Sequence, residues 1–170
     1  MSSGASHRSV RARLRSLVEK AGDQDADTAR AALLHRAVDL LVPDEALLLL
    51  TLARQPVGRA VPLVHIHSLT GTGLTGEPLL ENATTLGREA ELALPHLTPA
   101  YVTRLLTDGL AEIGPPDDRL EEEYQSVLAA PEVLAVLTRA RRDGVTPRVL
   151  RHTLVLSSLG FELCAGVEPA

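Results

Sequence analysis

At 170 residues the chain has the length of one domain with room for an appended arm. Apolar residues make up 45% and aromatics only 2%, so the core must be built from Leu, Ala and Val, which favours helices over sheet sandwiches. A net charge of −5 argues against a chain-wide nucleic-acid or membrane surface, and the single cysteine, Cys164, excludes a disulfide framework.

The first 22 residues hold Arg8, Arg11, Arg13, Arg15 and Lys20 against one acid, Glu19, so this arm carries about +4 and the remainder about −9. Val10, Leu14, Leu17 and Val18 recur at helical spacing with the basic residues on the other faces, which predicts an amphipathic helix. Its cations are candidate contacts for nucleic acid or another anion, while a solvated face is the ordinary use of such charges. No apolar segment or small-residue cleavage site follows the arginines, so no secretory signal is read. No apolar run reaches the ~20 residues of a membrane span, and a cytoplasmic location is expected.

Residues 22–27 form a polar hinge, after which Asp25 or Asp27 caps a helix to about Leu41, with Leu34, Val38 and Leu41 on one stripe. Asp44 is read as the N-cap of a helix to about Gln55, apolar nearly all round and therefore central. Residues 61–68 read as a strand, closed by a turn-rich stretch at 70–76. Pro78, placed in a first turn, predicts a helix through Leu86 and Ala90 to about Leu94. Thr98 as N-cap and Pro99 at N1 open the next helix, which carries Tyr101, Val102, Leu105 and Leu106 on one face and stops at Gly109. Residues 110–113 form a short strand. After Gly114, Pro115 and Pro116, a helix places Leu120, Tyr124, Val127 and Leu128 in register, and Pro131 begins another that ends near Gly144. Residues 147–156 read as a strand and 159–167 as a closing helix.

The order helix, strand, helix, helix, strand, with 147–156 pairing 110–113 as a ribbon, is that of a winged helix-turn-helix core, here with a helical insertion in the wing. The expected fold is mostly α with a small β component, an α+β domain over residues 23–170 that follows the arm of residues 1–22.

Candidate chemistry is sparse. Gly71, Gly73 and Gly76 spell G-x-G-x-x-G after a strand, a pattern that lets a backbone approach a pyrophosphate. The rest of a dinucleotide-binding unit is missing, since Glu91 falls on no strand, and a hairpin-like loop is expected instead. His65 and His67 alternate on a strand and so share a face, as the first two ligands of a zinc site do. Further ligands would have to come from His35, His96, His152 or Cys164, none at a diagnostic spacing, so a polar strand face is expected, with no metal and no cofactor. Glu121, Glu122 and Glu123 splay around a helix, and Ser157 and Ser158 fit no nucleophile pattern. Both groups read as surface, and no catalytic residue is assigned. Cys164, behind Phe161 and Leu163, reads as a small buried hydrophobe. As a recognition helix, the segment after Thr98 would expose Ala100, Thr103, Arg104, Thr107 and Asp108, a poor DNA face without the arm or a second subunit.

Four segments stand together: Leu-Val-Pro-Asp-Glu-Ala-Leu-Leu-Leu-Leu-Thr-Leu-Ala at 41–53, Asn-Ala-Thr-Thr-Leu-Gly-Arg-Glu-Ala-Glu-Leu at 82–92 before Pro95, residues 101–113 with their Leu-x-x-x-Gly-Leu-x-Glu-Ile ending, and residues 124–131. In this order and spacing they resemble the Abi-alpha family of bacterial proteins, named for abortive infection. Leu156, Ser157, Ser158, Leu159 and Gly160 are similar to that family's Leu-Thr-x-Leu-Gly ending, with serine for threonine and Cys164 closer to the glycine. The resemblance covers about residues 41–164 and leaves the arm outside. It implies a phage-defence setting and brings no catalytic residue with it. Shared positions such as Pro43, Asp44, Leu86, Gly87, Tyr101, Leu105, Gly109, Leu110 and Tyr124 read as caps, turns and core. The function expected is a non-enzymatic protein-interaction module, a sensor or adaptor with a protein partner, and a homodimer is compatible with it. The alternative is a dimeric winged-helix DNA-binding regulator that uses Arg8, Arg11, Arg13, Arg15, Lys20 and Arg104; nucleic acid is the less favoured partner.

Overall fold

A computed structural model describes residues 3–56, 60–69, 73 and 75–167, and their side chains from Val10 onward. The chain divides into two compact units, one up to Leu40 and one from Leu41 onward. The first holds α1 (Ser3–Asp23) and α2 (Ala26–Leu40), so helix continues through Gly22 where the hinge was expected to begin. Asp25 starts α2 as an N-cap: its carboxylate accepts the Thr28 N–H at 2.7 Å, and that bond holds the Asp25 carboxyl below its ordinary pKa. On α2, Leu34 is half-buried and Val38 exposed.

The second unit contains α3 (Pro43–Ala53), β1 (Val61–Leu69), β2 (Thr75–Ala83), α4 (Leu86–Glu89), α5 (Thr98–Thr107), β3 (Ala111–Gly114), α6 (Glu121–Leu128), α7 (Pro131–Arg142), β4 (Pro147–Leu156) and α8 (Ser158–Cys164), with 3-10 turns at Pro95–Leu97 and Asp118–Leu120. Its strands form an antiparallel sheet in the order β2-β1-β4-β3. The architecture is mixed α+β. Alternation along each strand gives the sheet two apolar faces. Val64 and Ile66 of β1 and Ala83 of β2 pack with Leu120, Tyr124, Val127, Ala130 and Val133 on the α6–α7 side. Leu63 and Leu154 point the other way, where α3 and α8 pack on β4 and α5 on β2 and β3, burying Leu48, Leu49, Val102 and Leu105. Among the described residues no helix is long and apolar enough to cross a membrane.

The β3–β4 ribbon forms as expected, from Ala111↔Leu156 to Gly114↔Thr153, with α6 and α7 inserted between its strands. The helix expected from Pro78 to Leu94 does not form. Its first half is β2, hairpinned onto β1, and only the single turn of α4 is helical. Proline is admitted there because β2 is the edge strand, where a missing N–H breaks no second ladder. Gly73, at φ 76°, lies in the β1–β2 connection and Gly76 within β2, so the described part of the G-x-G-x-x-G pattern opens no helix; Gly71 lies outside the described residues.

Three starts are also placed differently. The backbone N–H of Val42 donates to the Glu45 carboxylate at 3.0 Å, so α3 begins at Pro43, and Asp44 instead accepts from the Leu94 N–H at 3.1 Å, tying down the loop ahead of Pro95–Leu97. Thr98 lies within α5 and donates to the Pro95 carbonyl at 2.6 Å rather than capping. Ser157, expected on the surface, is buried: its hydroxyl accepts the Gly160 N–H at 3.0 Å as the cap of α8 and donates to the Gly109 carbonyl at 2.6 Å. Gly109 ends α5 as expected, at φ 70° with the Leu110 N–H reaching back to Leu105 at 2.9 Å.

Candidate functional site

The strand period of two sets His65 and His67 on the sheet face of Leu63, and their rings stack 6.2 Å apart and 4° from parallel. Residues paired across antiparallel strands share a face, so His152, opposite Leu63 on β4, joins them with its ring 4.7 Å from that of His65. Of the other partners expected from the sequence, His35 lies on α2 in the first unit, His96 is exposed in the turn before α5, and Cys164 is half-buried in α8. The side chain that completes the cluster is Glu81 of β2. One donor atom from each of His65, His67 and Glu81 falls within 4.8 Å of the others, and His67 Nε2 lies 3.7 Å from Glu81 Oε1.

Asn82 positions one ring. Its φ of 59° turns the side chain toward β1, where Oδ1 lies 3.0 Å from His65 Nε2, while its amide donates to the Thr103 hydroxyl at 2.8 Å and that hydroxyl donates to the Pro99 carbonyl at 2.8 Å. Burial lowers the His65 pKa, with the Asn82 contact opposing it, so the neutral, lone-pair-bearing imidazole is favoured. His67 is different: both of its ring nitrogens are shielded from solvent and have no hydrogen-bond partner among the described residues. The sequence hides Glu81, because Pro78 predicts a helix over residues 78–94 where β2 forms. A glycine-rich turn followed by a second strand would have placed an acid opposite the H-x-H pair.

The candidate anion contacts fall into two groups. Arg11, Arg13, Arg15 and Lys20 are exposed along α1, together with Val10, Leu14, Leu17 and Val18; the Arg8 side chain lies outside the described residues. Arg104 of α5 has its Nε 3.0 Å from Oε1 of Glu45, close enough for an ion pair though not aligned as a hydrogen bond, and Glu45 is fully buried. A shallow cleft of about 250 Å³ between β2 and α7 is lined by Pro78, Leu79, Val136, Ala140 and Val145, with Arg139 and Asp143 as its charged groups.

With the fold in view, the family model for abortive infection alpha matches residues 2–167. The chain belongs to the abortive infection alpha family. The match takes in α1, which the likeness seen over residues 41–164 had left outside. A solved structure of an uncharacterized protein from the hydrocarbon-degrading marine bacterium Alcanivorax borkumensis SK2 is similar at 24% identity and a TM-score of 0.61, covering 82% of this chain and 95% of that one; at this identity the likeness concerns the fold alone. No curated protein matches the chain. In this abortive infection alpha chain the family-like positions hold the fold together. A Cβ on Gly87 would lie 1.8 Å from the Thr98 hydroxyl oxygen, so glycine lets α4 close on α5. The Tyr124 hydroxyl donates to the His152 carbonyl at 2.7 Å, tying α6 to β4.

Proposed function

We propose that this abortive infection alpha protein is a non-enzymatic interaction module, a cytoplasmic sensor or adaptor that binds a protein partner through α1 during an abortive-infection response. The observation that carries this reading is the α1 stripe, where Val10, Leu14, Leu17 and Val18 are each more than half exposed and Arg11, Arg13, Arg15 and Lys20 occupy the flanks. Apolar area left in water is unfavourable by roughly 25 cal/mol per Å², and a partner groove rimmed by carboxylates would cover it and meet the cations. A DNA-reading role is less well supported, because the arginine of α5 already faces Glu45 and phosphate neutralisation dominates DNA affinity.

The test is a phage challenge of bacteria that express the full chain or its Leu14→Asp, Leu17→Asp double variant. Protection by the parent and its loss in the variant, with an unchanged unfolding midpoint, is expected. Protection undiminished in the variant would overturn the reading. A duplex titration at two salt concentrations accompanies it, and tight, salt-sensitive binding that depends on Arg11 and Arg13 would favour the regulator.

A further inference from the structure

We infer that His65, His67 and Glu81 bind one divalent transition metal, with zinc the best match to the donor set. Two imidazoles and a carboxylate are a common three-ligand combination for zinc, with a fourth position left to water. Here the three side chains come from adjacent strands, and their donor atoms already lie within 4.8 Å of one another. Zinc–ligand bonds of about 2.0–2.2 Å place tetrahedral ligands roughly 3.4 Å apart, so side-chain rotation closes the shell without moving the strands.

The second observation is His67. A histidine whose two ring nitrogens are both shielded and find no hydrogen-bond partner among the described residues forfeits hydrogen bonds it would make in water, and a metal at one nitrogen restores a strong partner. The Glu81 carboxylate, 3.7 Å away, is too distant to supply that partner directly but well placed to share a cation with it. Glu81 is half exposed and gives the ion an entry route, while the run from Pro99 through Thr103 and Asn82 holds the His65 ring in place, as groups behind metal ligands do. The bound metal would join β1 to β2 across the hairpin. This inference is independent of α1 and stands or falls apart from the partner-binding reading.

The full-length protein, stripped with a chelator, is titrated with zinc chloride near neutral pH by calorimetry, and its thermal unfolding is followed with and without zinc. One zinc per chain and a higher Tm are expected, since an ion held only by the folded hairpin stabilises it by mass action. His67→Gln and Glu81→Gln should each weaken binding by roughly tenfold or more, at least the effect of losing an orienting group. Glu81→Gln changes a half-exposed side chain and keeps the fold available for measurement, and His35→Gln with His96→Gln should leave the affinity unchanged. Absence of zinc binding, or binding undiminished when His67→Gln and Glu81→Gln are combined, would overturn the site.

Discussion

Glu45 is the residue on which α3 and α5 meet. Its side chain is only 1% exposed, yet its carboxylate is met by the Val42 N–H at the start of α3 and by Arg104 from α5. A buried carboxylate deprived of one partner keeps its desolvation cost. Arg104→Met is therefore expected to destabilise the fold by roughly 1–3 kcal/mol in urea unfolding, less than a fully buried pair would cost because water screens the half-exposed guanidinium. Combining it with Glu45→Met should cost less than the sum of the two changes. Nothing in the α3 sequence marks Glu45 as buried; an acid in a first turn reads as a helix-dipole partner, and its burial comes from distant elements that pack on α3, α5 with Arg104 among them. Cys164, expected as a buried side chain behind Phe161 and Leu163, is only half-buried, because Phe161 is itself 68% exposed and α8 is short. Burial pushes its thiol pKa up, so iodoacetamide is expected to react more slowly with the folded protein than with the same chain in urea, and equal rates would show a freely exposed thiol.

The elements that could be read correctly are those set by local chemistry. Asp25, one of the two acids offered before α2, Gly109 after α5 and the Val-, Leu- and Thr-rich run of β4 each act within a few residues, and each appears where the sequence places it. The β1–β2 hairpin was missed because Pro78 has two opposite uses, at a helix start or on a sheet edge, and the choice between them is made by β1, about ten residues away. Glu81 was lost with it. Gly160 shows the same limit at a helix: a Cβ there would lie 2.1 Å from the Leu110 carbonyl oxygen, a backbone atom that cannot rotate away, so Gly160→Ala should push α8 off the end of α5 and cost about 1–3 kcal/mol in chemical denaturation. The cap of α2 predicts a pH effect with a definite sign. The fold favours the charged form of Asp25, so its contribution is present above the unfolded carboxyl pKa of about 4 and is lost as pH falls through the lower folded value. Circular dichroism of the full chain should show helicity falling over that acid range, and Asp25→Ala should remove this component of the change.

At the scale of the molecule, the core and the proposed docking surface occupy different parts of the chain. The unit beginning at Leu41 holds a sheet with apolar layers on both faces, caps at α3 and α8, and the candidate metal cluster, which together amount to the requirements of an independent domain. The α1 stripe, by contrast, leaves Leu14 61% exposed and Val18 64% exposed, more than a helix kept for core packing would leave. Yet the family match extends back to residue 2, so the sequence of α1 lies within the span that the family model covers. A protein shortened to begin at Leu41 is expected to unfold in one cooperative transition on heating or in urea, and to lose phage protection. A broad, non-cooperative melt would show that the first 40 residues are needed to complete the fold, and loss of protection in the shortened protein would then report a folding defect, leaving the Leu14→Asp, Leu17→Asp variant with its unchanged midpoint as the test of a lost partner.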